Sequence, residues 1–253
     1  RDLVRSRGLG DVYKRQFDKT AVDMLEALDC PVYKIASFEI TDIPLIEYAA
    51  SKHKPMVLAT GIATEEDIQL AVEACRRMGN NDITVLKCTS SYPAPVEEAN
   101  LCMIRDLAER FQVKSGLSDH TLGSVSPIVA VTQGASMIEK HFILNRSIGG
   151  PDCSFSMEEK DFAQMVKDVR MAELSLGKTT YELTEKMRGS RSASRSLYVA
   201  EDMKAGEVIT ERNVRSVRPG FGLHPKYLKD ILGKNVNRDL EKGTRFALEY
   251  VNG

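Results

Sequence analysis

Gly116–Thr121 (GLSDHT) and Ile138–Phe142 (IEKHF) decide the fold, because in each stretch an apolar run ends in a histidine where a polar loop begins. In a parallel α/β barrel every strand ends on the same face, so the imidazoles of His120 and His141 are expected to meet there. Imidazole nitrogen binds divalent Mn, Fe, Zn or Co, and the pair therefore predicts a metal site. The alternative is that each histidine only hydrogen-bonds a loop carbonyl.

An apolar run, a polar loop and an amphipathic stretch form a unit that repeats along the chain from Phe17 onward. Such alternation is typical of parallel βα units. The predicted strands are Val32–Ala36, Met56–Ala59, Ile83–Cys88, Val113–Leu117 and Ala135–Glu139. The predicted helices are Thr20–Leu28, Pro44–Ser51, Glu65–Met78, Cys102–Phe111, Pro127–Gln133 and Asp161–Leu176. These units predict an α/β fold, either the C-terminal five βα units of a (β/α)8 TIM barrel or a complete five-stranded open sheet.

Composition excludes several classes of protein. The 253 residues carry a net charge of -1, so the chain lacks the excess of basic residues that is typical of a nucleic-acid-binding protein. No apolar run approaches the roughly 20 residues that cross a bilayer. The five cysteines are odd in number and include no Cys-x-x-Cys pair, so neither a disulfide framework nor a zinc knot is expected. The expected location is a reducing cytoplasm.

Four segments of different character follow one another. Residues 1–16 carry five basic and two acidic side chains without periodicity, resemble the translation of a sequencing adaptor, and are expected to be a non-native leader. Residues 17–183 are predicted to form part of a barrel that lacks its first three strands, and the chain as it stands is expected to be inactive. Residues 184–195, rich in Ser and Arg, are a predicted linker, and residues 196–253 a small β-rich domain.

The last of these segments contains a weak internal repeat. Asp202–Ile209 (DMKAGEVI) aligns with Asp239–Phe246 (DLEKGTRF), with a glycine at the same turn position and an apolar residue soon after it. A repeat of this length predicts two halves related by a pseudo-twofold axis.

Lys34 places a charge inside the otherwise apolar strand Val32–Ala36. An isolated buried ammonium is costly, so Lys34 must either pair with a carboxylate such as Glu39 or serve an anionic ligand. If the chain turns at Ser37, the ammonium and this hydroxyl can reach one phosphate oxygen.

Small and hydroxyl-bearing residues follow the next two strands. Thr60 and Gly61 form a turn that lets a ligand approach the backbone. The loop at 87–95 (KCTSSYPAP) contains Ser90, and its hydroxyls and backbone N–H groups are typical phosphate donors. After His141, a Gly-Gly-Pro-Asp turn presents the carboxylate of Asp152.

The segments LSDHT, EKHF, GGPD, KIAS, ATG and CTSSYPAP, in which these residues lie, closely resemble the sialic acid synthase family. Members of that family condense phosphoenolpyruvate with an amino sugar. RSLYVAEDMKAGEVIT, SVRPGFGLHPKYL and ILGK resemble the antifreeze-like SAF domain that closes these enzymes. KIASFE and RPGFGLHPKYL are most similar to the pseudaminic acid synthase branch, whose substrate is a diacetamido-trideoxy-L-altrose.

The resemblance implies ligands for the metal and for phosphoenolpyruvate. It implies that His120 and His141 bind a divalent cation, manganese or magnesium. The residues implied to hold phosphoenolpyruvate are Lys34, Ser37, Thr60, Ser90 and Ser118. Thr60 enters this set because Ala59 stands where the sialic acid enzyme has a phosphate-binding serine.

The resemblance also implies sugar contacts and a dimer. Tyr92 and Asp152 match positions that face the sugar. Arg218 matches an arginine that the SAF domain of one subunit inserts into the barrel of the other, in a domain-swapped homodimer. The residues expected to be catalytic are Lys34, Glu39 and Asp152.

Other functions fit parts of the pattern. Within the family, the product can be N-acetylneuraminate or legionaminic acid. A metal-dependent aldolase also places two histidines on a metal to stabilise an enolate, although the SAF-like segment is foreign to it. A non-catalytic carbohydrate- or ice-binding module is the third class, but Lys, Arg and Glu crowd Asp202–Arg218, where an ice-binding face is flat and Thr-rich.

Overall fold

The computed structural model describes residues 14–16, 18–150 and 152–252. The chain divides into two compact units, one up to Lys178 and the other from Thr179 onward. None of the helices in the described ranges combines the length and the apolar character that a membrane crossing requires.

The first unit contains one parallel sheet of six strands in sequence order. Its strands are β1 (Lys14–Gln16), β2 (Tyr33–Ile35), β3 (Met56–Ala59), β4 (Ile83–Cys88), β5 (Lys114–Asp119) and β6 (Ile138–Lys140). Its helices are α1 (Lys19–Ala27), α2 (Ile43–Ala50), α3 (Glu65–Arg77), α4 (Met103–Phe111), α5 (Val125–Thr132) and α6 (Glu159–Leu176). All five predicted strands and all six predicted helices are present. Of the predicted leader, only the strand at 14–16 lies in the described ranges, and it pairs with β2.

Helix α3 shows how the sequence specifies these elements. Thr64 and Asp67 form a reciprocal capping box, which satisfies backbone N–H groups that the first helical turn leaves open. Acidic residues occupy the first turn and Arg76 and Arg77 the last, which complements the helix dipole. The predicted apolar stripe, from Ile68 to Cys75, is buried against the sheet and its neighbours.

The sheet is strongly curved, and one ion pair demonstrates it. Strands β2 and β6 are separated by three others, so in a flat sheet they would lie about 19 Å apart, four spacings of about 4.8 Å. Nevertheless Lys34 of β2 and Glu139 of β6 form an ion pair. The strands therefore curl into the wall of a barrel, and the five-stranded open sheet is wrong.

The predicted ends of β5 and β6 needed correction. Strand β5 continues past Leu117 to Asp119, because Ser118 and Asp119 pair with Glu139 and Lys140 of β6. Strand β6 begins at Ile138 rather than Ala135, after the turn that closes helix α5. The two segments that precede His120 and His141 are therefore paired residue by residue.

The second unit confirms the internal repeat. Strands β7 (Ser196–Val199) and β8 (Val214–Val217) pair antiparallel, and Met203 forms an antiparallel bridge with Leu240 in the other half of the repeat. The two repeat aspartates act reciprocally: Asp202 accepts a hydrogen bond from the Lys242 backbone N–H at 2.7 Å, and Asp239 accepts one from the Ala205 N–H at 2.8 Å. Each half of the repeat thus stabilises the glycine-containing turn of the other half through one hydrogen bond.

The predicted linker has structure of its own. Thr184 caps a short helix, α7 (Glu185–Ser190), through its side-chain oxygen. A single 3-10 turn, Arg191–Ala193, leads from it to β7. The division between the two units precedes this segment, at Lys178.

Candidate active site

The carboxyl ends of β2, β4, β5 and β6 bring most of the predicted site residues together. Side chains on alternate residues of a strand share one face. Cys88 of β4 lies 3.3 Å from the Ser37 hydroxyl and 3.9 Å from His120 Nδ1. Residues that follow β2, β4 and β5 therefore meet in one place inside the curved sheet.

The two histidines are neighbours, as the sequence predicts. The ring centroids of His120 and His141 are 5.1 Å apart. His120 Nδ1 lies 2.8 Å from the carbonyl oxygen of Thr89, which can only accept, so this nitrogen carries the proton and Nε2 keeps its lone pair. His141 Nδ1 lies 3.6 Å from a carboxylate oxygen of Asp152. The carbonyl bond offered as an alternative to a metal site thus exists at His120 and orients the ring.

The donor chemistry of this pair fits a divalent cation. A ring nitrogen lies about 2.1 Å from a bound ion, so two imidazoles on one ion need centroids within about 6.5 Å of each other. His120 and His141 meet that condition. A second-sphere hydrogen bond on the other nitrogen, such as the one from His120 to Thr89, is usual for a metal-bound histidine. Over residues 18–150 and 152–252, no group of three or more His, Cys, Asp or Glu side chains offers a larger ligand set.

His120 and Cys88 influence each other's protonation. Burial by itself lowers the pKa of His120, but hydrogen bonds to Cys88 and to the Thr89 carbonyl outweigh it and leave this pKa above the ordinary value. Burial by itself raises the pKa of Cys88, but the hydrogen bonds from His120 and Ser37 outweigh burial and leave this pKa below its ordinary value. Cys88 was not among the predicted site residues, because a cysteine at a strand end has no distinctive neighbours in the sequence.

Lys34 is buried and pairs with Glu139, not with Glu39. The same carboxylate oxygen accepts a hydrogen bond of 2.7 Å from the Ser118 hydroxyl. Glu139 was not among the predicted site residues either, although one signal points to it: it lies two residues before His141, and residues two apart share a strand face.

A small cradle of hydroxyls surrounds Gly61. The Gly61 backbone N–H donates to Ser37 Oγ at 3.2 Å, and the chain turns at Ser37 as predicted. Ser90 Oγ is buried and has no hydrogen-bond partner among the described residues. A Cβ at Gly61 would lie only 2.1 Å from Ser90 Oγ and 2.9 Å from Ser37 Oγ, so a larger residue would displace these hydroxyls. Buried polar atoms are normally satisfied, and Ser90 Oγ therefore suggests a ligand atom in this cradle.

Two further predicted residues lie at the edge of this cluster. Glu39 Oε2 is, besides Ser90 Oγ, the other buried side-chain oxygen in the described ranges that has no hydrogen-bond partner. Thr60 donates its hydroxyl proton to the Leu86 carbonyl at 3.0 Å, so its side chain is committed to the backbone. Of the two, Glu39 has an oxygen left for a ligand or a water.

Tyr92 forms an aromatic wall beside the histidines. Its ring centroid lies 4.4 Å from His120 and 5.8 Å from Phe155. Phe155 also contacts His141, at 5.0 Å between centroids. Phe155 was not predicted, because its segment has no strand or helix pattern.

Arg218 belongs to the second unit, and its loop is firmly held there. Buried Ser196 donates to the Pro219 carbonyl at 2.7 Å and accepts from the Gly222 N–H at 2.8 Å. A Cβ at Gly222 would lie 2.2 Å from the Leu197 carbonyl oxygen, so the loop cannot relax around a larger residue. The loop that bears Arg218 is thus preorganised.

Comparison with known proteins agrees with these features. The sequence matches the NeuB family over residues 4–181, beginning within the predicted leader, and the SAF domain over residues 194–245. It is 48% identical over 251 residues to pseudaminic acid synthase from Helicobacter pylori, and the aligned region covers 99% of this chain and 74% of that protein. It is 32% identical over 255 residues to N,N'-diacetyllegionaminic acid synthase from Legionella pneumophila, covering 99% and 71%.

A solved structure shares the architecture. The spore coat polysaccharide biosynthesis protein SpsE from Bacillus subtilis superimposes with a TM-score of 0.63 at 30% identity, covering 94% of this chain and 72% of that one. The predicted combination of a TIM-barrel segment with an SAF domain is confirmed. On the extent of its family match and its identity to these relatives, the chain belongs to the NeuB family.

Proposed function

We propose that this chain is a pseudaminic acid synthase, a transferase that condenses phosphoenolpyruvate with a diacetamido-trideoxy-L-altrose and water to give pseudaminic acid and phosphate. The observation that carries the proposal is the pair of imidazoles, with centroids 5.1 Å apart, together with the buried Ser90 hydroxyl, which has no hydrogen-bond partner among the described residues. The identity of 48% to a protein named for this activity supports the choice of product.

The phosphate of phosphoenolpyruvate is assigned to the cradle around Gly61. Ser90 Oγ and Ser37 Oγ are within reach of the same small space. Lys34 supplies the positive charge, after exchanging Glu139 for the ligand. Ser118 and Thr60 complete the predicted set, with Ser118 held against Glu139 and Thr60 against Leu86.

His120 and His141 are assigned to a divalent cation, Mn²⁺ or Mg²⁺. Nitrogen ligands favour Mn²⁺, because Mg²⁺ prefers oxygen. When bound, the cation polarises the aldehyde oxygen of the open-chain sugar as a Lewis acid. The protein fixes the rings through the Thr89 carbonyl and Asp152.

The remaining residues place charges and protons. C3 of phosphoenolpyruvate forms a bond to the aldehyde carbon, water adds at C2, and phosphate leaves by cleavage of its C–O bond. Lys34 and the cradle hydroxyls stabilise the departing phosphate. We assign Asp152, which lies beside His141 and is open to solvent, to pass a proton from solvent to the former aldehyde oxygen, and Glu39 Oε2 to accept one from the attacking water.

The proposal includes a partner subunit and a compartment. Arg218 acts on the sugar from the partner subunit of a domain-swapped homodimer, and no nucleic acid or membrane takes part. The cytoplasm is the proposed location, and the five free cysteines, all of them described, fit a reducing compartment.

Phosphate release tests the proposed function. The natural protein that contains this chain is incubated with Mn²⁺, phosphoenolpyruvate and, in separate reactions, the amino-sugar precursors of pseudaminic, legionaminic and N-acetylneuraminic acid. Release that depends on the first sugar is the expected result. Release with the second or third sugar alone would assign another product, and release without any sugar would contradict the condensation.

A further inference from the structure

Strands β5 and β6 carry functional residues on one face and an ion pair on the other. The parallel register places Ser118 opposite Glu139 and Asp119 opposite Lys140. Ser118 and Lys34 both contact the Glu139 carboxylate inside the curved sheet. Asp119 and Lys140 therefore point to the opposite face, away from the site.

The Asp119–Lys140 pair is completely buried and completely satisfied. Each side chain is 1% exposed, and Nζ of Lys140 lies 2.6 Å from Asp119 Oδ2. The ammonium also donates to the carbonyl oxygens of Thr121, at 2.5 Å, and Gly123, at 2.9 Å, so its three protons all have acceptors. Asp119 Oδ1 accepts from the Thr121 N–H at 2.9 Å.

These bonds connect the two neighbours of His120 in the chain to Lys140, the residue before His141. Asp119 and Thr121 flank His120, and Lys140 directly precedes His141. Strand β6 has only three residues, and within the described ranges it pairs only with β5, while backbone hydrogen bonds with Met157 hold His141 and Ile143 just beyond it. A strand this short is weakly held by its own ladder, and a slip of one residue would turn His141 to the wrong face.

We infer that the Asp119–Lys140 ion pair is a positioning device: it locks the loop of His120 to the strand of His141 and thereby sets the affinity of the two imidazoles for their cation. The inference rests on the metal site assigned under the proposed function. Neither residue touches substrate or cation, so both act through the histidines.

The energetics favour a specific role in position over a general role in stability. A buried ion pair often contributes little net stability, because desolvation offsets the attraction, whereas removal of one partner leaves a buried charge and is strongly destabilising. Loss of both charges together removes that penalty. The double variant consequently separates the effect on position from the effect on folding.

The test measures binding of Mn²⁺ itself, by the loss of its free-ion paramagnetic resonance signal, in the natural protein that contains this chain, well below its melting temperature. Lys140→Met and Asp119→Asn are each expected to weaken Mn²⁺ binding about 10- to 100-fold, a loss comparable to that seen when a group that orients a metal ligand is removed. The double variant Asp119→Asn/Lys140→Met is expected to regain melting temperature while its Mn²⁺ affinity stays low.

Two controls accompany these variants. Lys114→Met removes another ion pair of β5, with Asp82 at 2.8 Å, far from the histidines in the strand, and Ile46→Ala lowers stability from the core. Both are expected to bind Mn²⁺ as the wild type does. Wild-type Mn²⁺ affinity in the Lys140→Met variant would overturn the inference. So would a double variant in which both the melting temperature and the Mn²⁺ affinity return to the wild-type values.

His120→Ala separates this inference from the metal assignment on which it rests. If that variant binds Mn²⁺ as tightly as the wild type, the metal site itself is wrong. If it loses Mn²⁺ while both ion-pair variants retain it, only the positioning role fails.

Discussion

Lys34 and Glu139, 105 residues apart in the chain, form an ion pair across the inside of the curved sheet. The pair neutralises two charges in a place where an isolated charge would be costly. An anionic substrate that enters the site must therefore compete with Glu139 for the Lys34 ammonium. Under the proposed function, Lys34 has a binding role in addition to the ion pair, and variants must separate the two roles.

Lys34→Met is expected to raise the KM for phosphoenolpyruvate about 10- to 100-fold, since a hydrogen bond to a charged group contributes about 1.5–3 kcal/mol. The single variant is also expected to melt at a lower temperature, because Glu139 loses its cationic partner. Lys34→Met/Glu139→Gln serves as the control and should recover stability without recovering KM. Steady-state kinetics and thermal melting measure both quantities. A normal KM in the single variant would contradict the phosphate role.

His120→Ala and His141→Ala are each expected to abolish metal-dependent turnover, because the two rings together form the site. The measurement is Mn²⁺ affinity by calorimetry, alongside phosphate release. His53→Ala, in which the histidine lies in a turn after α2, is the matched control and should leave both values unchanged. Unchanged affinity in both site variants would rule out the pair as ligands.

Gly61→Ala is expected to reduce phosphoenolpyruvate affinity more than Ser90→Ala does. The added Cβ would lie 2.1 Å from Ser90 Oγ and displace the hydroxyls of the cradle. Ser90→Ala should leave the melting temperature unchanged, since its hydroxyl has no protein partner in the described ranges, and raise KM about 10-fold through a lost bond to charged phosphate. Kinetics and melting curves of the two variants provide the comparison. Equal KM values in wild type and Ser90→Ala would place the phosphate elsewhere.

Arg218 is expected to act in trans across a homodimer. Inactive Arg218→Ala subunits mixed with inactive His120→Ala subunits should regain about a quarter of wild-type activity, because half of the random dimers are mixed and each has one intact site. Phosphate release after mixing and refolding measures the recovery. Verified heterodimers without activity would mean that Arg218 serves its own barrel.

Cys75 and Cys102 are expected to react with thiol reagents at very different rates. Burial raises the pKa of the Cys75 thiol to about 12, so at pH 8 it has almost no thiolate, whereas Cys102 is exposed. Peptide mapping after brief labelling should find Cys102 modified and Cys75 modified only after unfolding. Similar rates would show that helix α3 opens readily in the native state.

The order of the strands and the two histidines that follow β5 and β6 could be predicted because they depend on local patterns, whereas the ends of these two strands depend on how they pair. Apolar runs, polar loops and the period of two are all visible in the sequence, and so His120, His141 and the turn at Ser37 were found. The partner of Lys34 was not, because Glu139 reaches it only through the curl of the whole sheet. The Asp119–Lys140 pair was missed for a related reason: its partners are opposite each other only in the observed register of β5 and β6.

Alternate residues of β5 and β6 serve the site and its support, and this arrangement limits which changes in length the chain tolerates. A deletion or insertion of one residue just before Ser118 would exchange the two faces of the strand, turning Asp119 inward and Ser118 outward. Substitutions at one position alter one face only, whereas a single-residue gap alters both at once. Libraries that vary this enzyme should therefore change residue types in the two strands and confine changes of length to the loops beyond them.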